Sequence, residues 1–453
     1  MDKTAQSCDI VLLFDQYSKD SRNLHVSFQK AGYECQAIVI EDDGFLPEHV
    51  ISIYGFFLGD YEKAEGIPGR PRYFNQITVP EYWEISGTNR QGKVHDLHRE
   101  RGKIFYAEPR HRRLVQVVDW YDERHVVRSS DHYNRYGALY ARTTFNAKGQ
   151  RVNKSWFSAD GREVIVENYV TGDIILNEEK EVHFFRNRTE LAVHVLERAG
   201  LVQNRIFFNS LSVPFFVSQR LHSEEKRDIL FWQEPVRDEI PGNMQIILKG
   251  QATRTAEILV QKKNSYERLL QLGASSDIIH PLGFLYPFER ENRRRPEALI
   301  CTNSERVEKC RELVEALPGM HFHIAAITEM SSKLMRMDSY ENVTLYPGVK
   351  SEILDELFDS CDYYLDINHE SEIVSAVYRA FQNNQLILAF QETLHNQDYT
   401  AKGHIWPAGE VHQMIGVIQE TMTDEHAMAE HLHIQHTAAC AETEESYQRF
   451  RQQ

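Results

Sequence analysis

The sequence has no apolar run approaching the roughly 18–20 residues that a bilayer-spanning helix requires. Its start, Met1-Asp2-Lys3-Thr4-Ala5-Gln6-Ser7-Cys8, lacks the charged-then-apolar order of a secretion signal. Cysteine is scarce: the six (8, 35, 301, 310, 361 and 440) are scattered and none forms Cys-x-x-Cys. That excludes a zinc knuckle or thioredoxin-like site and places the expected location in the reducing cytosol. Positive charge is also short, with 51 Lys and Arg against 67 Asp and Glu and a net charge of −16. A dedicated nucleic-acid binder, whose affinity rests on neutralising phosphates, is therefore not expected, although a local basic groove is compatible. Glycine is missing where a phosphate loop would need it: after the apolar run 10–14 come Asp15-Gln16-Tyr17-Ser18-Lys19.

What is present suffices for a core. Hydrophobic residues are 42% of 453, which argues against global disorder, and the length suggests about three domains. Aromatics at 11% favour sheet-rich or binding surfaces over coiled coil.

Three textures follow along the chain. The first is α/β: a buried strand at 10–14, a helix over 24–31 ended by Gly32, a strand at 35–40, and a sheet extension within 50–59. The second, from about 77 to 185, is a beat of short strands (114–118, 138–145, 152–157, 163–168, 174–176). Glycines 137, 149, 161 and 172 punctuate it, with Lys148-Gly149 and Asp160-Gly161 as hairpin signals. Regular turns of this kind predict an antiparallel meander. The third returns to α/β. Strands are expected at 228–232, 244–248, 298–301, 322–326, 343–346, 363–367 and 386–390. Helices are expected within 255–272, over 307–317 with Thr302 and Glu305 as a capping box, over 352–360 and over 373–383. Ile353 and Val374 belong to the inward faces of the last two.

Two α/β units separated by the proline-marked stretch 281–287 predict twin Rossmann-like domains. The boundaries are 1–75 and 188–286 for the first domain, 76–187 for the inserted β-sheet, and 287–453 for the second with a C-terminal helix. Open α/β sheets bind ligands beyond the carboxyl ends of their strands. The loops after Leu248, Cys301 and Ile367 are thus the first places to look, in a cleft between the domains. Lys249 and Arg254 either attract an anion there or are ordinary solvated surface.

The order of the second unit resembles the C-terminal nucleotide-sugar half of GT-B glycosyltransferases. Active retaining members of that class carry two glutamates eight positions apart in the loop after the late strand. Here that loop reads Asp366-Ile367-Asn368-His369-Glu370-Ser371-Glu372-Ile373-Val374-Ser375-Ala376-Val377-Tyr378-Arg379-Ala380. Eight beyond Glu370 stands Tyr378, and eight beyond Glu372 stands Ala380. Aligning Arg379-Ala380 with the usual Glu-Ala puts Ser371 at the earlier position. Each register breaks the pair, and arginine has no acceptor with which to hold a ribose diol.

The insertion sharpens the likeness. The segments Phe74–Ile85, Val117–Glu123, Asp131–Gly137, Lys154–Ser158 and Glu167–Ile174, with Asp228–Glu234, resemble the accessory Sec glycosylation stabilising proteins. These are the non-catalytic partners of the enzyme that places the first N-acetylglucosamine on serine-rich repeat adhesins. The resemblance implies no cofactor, a catalytic paralogue as partner in a hetero-oligomer (a heterotetramer), and a serine-rich acceptor protein. It also implies a cytoplasmic complex, peripheral to the membrane, with the β insertions mediating assembly.

An extended Ser/Thr-rich acceptor needs a polar groove with a few aromatic platforms. The candidates are Trp232, Gln233, Glu234, Lys249, Arg254, Asn303, His369 and Glu370. For the subunit interface they are Trp120, Tyr121, Tyr133, Tyr136, Trp156 and Phe157, with sheet core as the competing role of each. The basic stretch 99–113 is either a solvated hairpin face or a patch for the partner or acidic lipid. His369-Glu370 reads as a polar loop more readily than as a catalytic base pair. The tail histidines 426, 431, 433 and 436 read as a solvated helix; 431 and 433 do not share a face, so no metal ligand set is expected. An active glycosyltransferase using UDP-N-acetylglucosamine is the alternative, and a lectin-like module that reads finished glycans is a third possibility.

Overall fold

The computed structural model describes residues 7–223 and 225–451. The stretch read above for a secretion signal lies, over residues 1–6, outside the described residues. The chain divides into two compact units, residues 1–281 and 282–453.

The first unit opens with strand β1 (Ser7–Gln16), helix α1 (Lys19–Lys30), β2 (Glu34–Glu41) and β3 (Val50–Ser52). Ile10 to Phe14 are at most 1% exposed, as an apolar run covered on both faces must be. Helix α1 begins where the Ser18 hydroxyl accepts from the Ser21 amide, and it ends at Ala31 with Gly32 at φ +87°.

A ten-stranded antiparallel meander follows. Its strands are β4 (Glu84–Gly87), β5 (Gln91–Asp96), β6 (Arg99–Tyr106), β7 (Val115–Tyr121) and β8 (Val127–Tyr133). Then come β9 (Leu139–Phe145), β10 (Arg151–Phe157), β11 (Glu163–Asn168), β12 (Ile174–Asn177) and β13 (Val182–Phe185). They pair in sequence order, as the turn beat predicts. Gly137 shows why glycine marks the beat: φ is +81°, and a Cβ would come within 2.5 Å of the Arg70 carbonyl.

The chain then returns through α2 (Arg188–Arg198), β14 (Arg205–Phe208), α3 (Val213–Arg220), β15 (Asp228–Trp232), α4 (Gly242–Leu248), β16 (Thr255–Val260), α5 (Lys263–Gln271) and β17 (Ile279–Pro281). The seven-stranded sheet runs β17-β16-β15-β14-β1-β2-β3, and its pairs are parallel. Tyr140, Trp156, Ile165 and Leu176 of the meander join the same core as Leu13, Ile38 and Phe208. The far strands close a small core of their own around Val94, Ile104, Val115 and Val118.

The second unit holds β18 (Glu297–Thr302), α6 (Cys310–Ala316), β19 (His321–Ala326), α7 (Ser332–Met335), β20 (Val343–Tyr346), α8 (Ser351–Ser360) and β21 (Tyr363–Asp366). Then come α9 (Ala376–Gln382), β22 (Leu386–Phe390), β23 (Ile405–Trp406), α10 (Val411–Thr423), α11 (Glu425–Ala438) and α12 (Glu444–Tyr447). The order β20-β19-β18-β21-β22-β23 is parallel throughout.

Four expectations need correction. Residues 244–248 are helical, because Met244 and Ile247 bury one side of a short helix. The expected helix over 255–272 is a strand followed by a helix, with Leu259 in the strand. The helix expected from 307 starts at Cys310. Val307 instead bridges to Asn368, and the Thr302 hydroxyl donates to Asn368 rather than capping a helix. Two residues expected on inward helix faces are not: Ile353 is 39% exposed, and Val374, at φ +49°, precedes α9, which starts at Ala376.

Among the described residues, burial pushes the Cys310 and Cys361 thiols up to about 12. No helix among them is long and apolar enough to cross a membrane.

Candidate functional site

Each sheet has a point where strand order reverses, and each reversal gathers polar loops at the carboxyl ends of its strands. In the first sheet the point lies between β1 and β14. A row of side chains crosses four strand ends there. The Asp15 amide donates to Asn209 Oδ1 (3.0 Å), Asn209 Nδ2 donates to Gln233 Oε1 (3.0 Å), and Gln233 Nε2 donates to Gln261 Oε1 (2.7 Å). Asn209 Nδ2 also reaches the Ser21 hydroxyl at 3.0 Å. Asn209, Gln233, Gln261 and Ser21 are all buried, so these bonds fix the floor of the crevice.

Carboxylates stand beside the row. Burial pushes the Asp15 carboxyl above its ordinary range; Glu41 and Glu234 push the same way, and Arg188 opposes them. Arg188 is the hub. It donates to Glu41 and, through Nε at 2.6 Å and Nη2 at 3.0 Å, to Glu167 of β11. Tyr54 closes the group with its hydroxyl 3.3 Å from Glu167. Amides and carboxylates of this kind match hydroxyl and peptide groups. The Ser18 cap already occupies the α1 amino end, and no glycine opens the backbone there for a phosphate.

In the second sheet the reversal lies between β18 and β21. Asn368 ties the two loops: its Oδ1 accepts from the Thr302 hydroxyl (2.6 Å), and its Nδ2 donates to Asn303 Oδ1 (3.3 Å). His369 Nε2 meets Glu308 at 2.5 Å, and exposed Glu370 pairs with Arg306 at 3.4 Å. His395 lies beneath. Its Nδ1 is 2.5 Å from Asp366 Oδ1, and its backbone amide donates to Asp366 Oδ2 at 2.8 Å. Burial pulls its pKa down, but the Asp366 hydrogen bond and charge outweigh this and raise it to about 9.

The structure thus brings Asn303, His369 and Glu370 together at one strand-end cluster, and Gln233 and Glu234 at the other. The remaining candidates fare differently. Trp232 is 3% exposed, so it is core rather than a stacking platform. Lys249 is exposed at the carboxyl end of helix α4, not beyond a strand. Arg254 is wholly buried at the amino ends of β15 and β16, the opposite edge from the crevice. Its Nε is 3.0 Å from Asp228, and Nη1 and Nη2 donate to the carbonyls of Val202 and Asn204. It locks the sheet and is unavailable to a ligand.

Among the interface candidates, Trp156 is buried and stacks on Tyr54 at 3.9 Å, and Tyr133 is 7% exposed. Neither presents a surface to a partner. Trp120, Tyr121, Tyr136 and Phe157 are half-buried, and Trp120 Nε1 donates to Asp131. In the basic stretch, Arg99 and Arg101 both pair with exposed Glu123, so both guanidiniums are compensated within the chain. The tail histidines lie on α11, where His431 bonds His404 and His436 bonds Asn384.

Sequence reasoning missed Asn209, Gln261, Glu41, Arg188 and His395. Asn209 follows the apolar run 206–208, which was the available signal. His395 lies far from its partner Asp366 in sequence and offered none.

Two parallel α/β sheets, each with polar loops at its reversal point, and an inserted meander define a GT-B-type protein. Four family profiles match the chain in order: the GtfB N-terminal domain (11–57), the GtfB middle domain (83–186), the GtfB third domain (188–272) and the GftB/GlyA-F C-terminal domain (298–435). It is 43% identical over 90% of its length, and 92% of the relative's, to the UDP-N-acetylglucosamine–peptide N-acetylglucosaminyltransferase stabilizing protein GtfB of Streptococcus agalactiae. The protein so named from Limosilactobacillus reuteri is 35% identical, with 97% of this chain and 98% of that one covered. Among solved structures, a chain of the GtfA/B complex bound to UDP and GlcNAc superposes with a TM-score of 0.90 at 41% identity, covering 97% of this chain and 98% of that one. The chain belongs to the GtfB family of N-acetylglucosaminyltransferase stabilizing proteins.

Proposed function

We propose that this chain is the non-catalytic member of a protein O-GlcNAc-transferase pair. It binds and stabilises a GtfA-like catalytic subunit and holds a serine-rich repeat acceptor while that subunit transfers N-acetylglucosamine from UDP-N-acetylglucosamine to Ser/Thr hydroxyls. The observation that carries the reading is full-length similarity to stabilizing proteins and to a chain of the GtfA/B complex.

The second-unit loop supports it. Glu372 accepts the Val377 amide at 2.9 Å and so caps α9. Tyr378 is buried at the position where a ribose-binding carboxylate is expected. Arg379 turns away to Asp355 and lies 4.1 Å over the Phe358 ring. No glutamate pair remains at the required spacing to grip an activated sugar. In the first unit, the Asn209–Gln233–Gln261 row and the carboxylates around Asp15 suit an extended, hydroxyl-rich peptide. Many weak repeats on one acceptor chain raise effective concentration, so a holding subunit increases turnover without chemistry of its own. The insertion supplies assembly, with Tyr82 (86% exposed) and Leu97 (82%) as its most exposed apolar side chains. The pair operates in the cytoplasm, peripheral to the membrane, beside the accessory Sec export machinery.

The test mixes purified chain, catalytic paralogue and bare acceptor, singly and together, and measures sugar transfer. The chain alone gives none; the mixture exceeds the paralogue alone by at least about tenfold, the order that effective-concentration gains allow. Hydrolysis of UDP-N-acetylglucosamine by the pure chain, abolished by Glu370→Gln, would sink the proposal in favour of an active transferase.

A further inference from the structure

Where the last hairpin of the meander meets the returning α/β domain, three ligand-type side chains converge. Glu178 lies just after β12, His183 is on β13, and His194 is on α2. One carboxylate oxygen and one ring nitrogen from each histidine lie within 4.8 Å of one another. His183 Nε2 stands 3.2 Å from Glu178 Oε2 and 3.6 Å from Glu181 Oε2, without the alignment of a hydrogen bond.

Both Nε2 atoms are shielded from solvent, and among the described residues neither has a hydrogen-bond partner. A buried polar atom left unpaired is destabilising. His183 Nε2 faces the Glu178 carboxylate at 3.2 Å, His194 brings a ring nitrogen within 4.8 Å of both, and a bound cation would give these groups a common partner.

The surroundings suit a metal. Zinc takes imidazole nitrogen at roughly 2.0–2.1 Å and carboxylate oxygen at roughly 2.0–2.2 Å, so neighbouring ligand atoms on a tetrahedral ion sit about 3.4 Å apart. The His183–Glu178 separation of 3.2 Å already matches, and the His194 ligand atom lies within 4.8 Å of both. Phe185 and Phe57 wall His194, with ring centroids at 5.2 Å and 6.1 Å. Arg198 donates to both oxygens of Glu178, at 3.0 and 3.2 Å, and orients the carboxylate as an outer partner. Two imidazoles and a carboxylate, with no thiolate, select a borderline divalent ion over Cu(I), Ca2+ or Mg2+.

We propose that Glu178, His183 and His194 bind one divalent transition-metal ion of the zinc type, with Glu181 in reach as a fourth ligand. The ion pins β13 to α2 and so stiffens the joint between the meander and the α/β domain. The site is independent of the proposed acceptor crevice and of any sugar transfer.

The experiment uses the untagged full-length chain, stripped with EDTA and then dialysed against ZnCl2, with bound metal measured by elemental analysis. About one zinc per chain is expected, falling below about a fifth in His194→Ala and in His183→Gln. His426→Ala, at an exposed position of α11, is expected to retain it. Co2+ in place of Zn2+ should give the visible d–d bands of a low-symmetry nitrogen–oxygen site, absent in the variants. Zn2+, and not Mg2+, should raise Tm by at least about 2 °C in the parent chain alone. Circular dichroism establishes that each variant is folded. If only one site variant folds, loss of zinc in that one upholds the proposal. Zinc uptake equal in the parent and the folded site variants, or no uptake by the parent, overturns it.

Discussion

Arg254 and Asp228 form an ion pair whose side chains are both fully withdrawn from water. Removing one partner strands the other charge, which costs about 3–5 kcal/mol, whereas removing both costs less. Arg254→Met is therefore expected to move the first urea transition of the chain to clearly lower denaturant. Arg254→Met with Asp228→Asn should recover part of that loss. A single mutant as stable as the parent would mean that the pair carries no such burden. His395 behaves oppositely to most buried histidines of this chain. Its folded pKa of about 9 lies above the ordinary 6.5, so its ion pair with Asp366 stabilises the second unit fully below pH 6.5. That contribution is lost as pH rises towards 9. The parent is expected to lose Tm between pH 7 and 9 more steeply than His395→Gln. Parallel Tm–pH curves for the two would count against a charged His395.

One guanidinium ties carboxylates of the meander and the α/β domain together across their joint. Arg188, at the start of α2, reaches Glu41 at the end of β2 and Glu167 in β11. Glu167 is 4% exposed, so Arg188→Met leaves a buried carboxylate without its counter-charge, at a cost of about 3 kcal/mol. Lysine, a point charge without the planar fork, should restore only part of it. Limited proteolysis should detect earlier cleavage in the meander of Arg188→Met, with the second unit unaffected; an unchanged pattern would show that the core shared by Trp156, Ile165 and Phe208 suffices. This joint was invisible in the sequence because its members are spread from residue 41 to 188. The meander itself was legible where apolar residues alternate, as in β10 and β11 around Asp160-Gly161. It was not legible in β5 and β6, where the charged Lys93, Arg99, Glu100, Arg101 and Lys103 obscure the alternation, so that no strand is expected there from the sequence. Residues 244–248 failed for another reason. A short apolar run fits a buried strand and a buried helix turn equally, and here the length of α4 did not separate them. That one error carried Lys249 and Arg254 to the wrong edge of the sheet.

At the scale of the whole molecule, loop order made the second-unit cluster legible. The first-unit crevice was only half so, since buried amides such as Asn209 and Gln261 carry no periodic signal. Histidine titration also belongs to this scale, because it spans both units. Burial lowers His25 to about 4 and His132 to about 3 in the first unit, and His404 to about 3 and His436 to about 4 in the second. All four stay neutral when folded at a pH where the unfolded chain protonates them. Between pH 6.5 and about 4 the unfolded state therefore binds more protons, and stability falls as pH falls through that window. Both units should lose Tm together on acidification below pH 6.5, before most exposed carboxylates titrate. His404→Gln should flatten the response of the second unit alone, because burial, then the His431 ring 2.9 Å away, holds His404 neutral in the fold. Calorimetry from pH 7 to 4 on parent and variant tests this. A second-unit transition that keeps its full acid slope in the variant would assign the sensitivity to His436 instead.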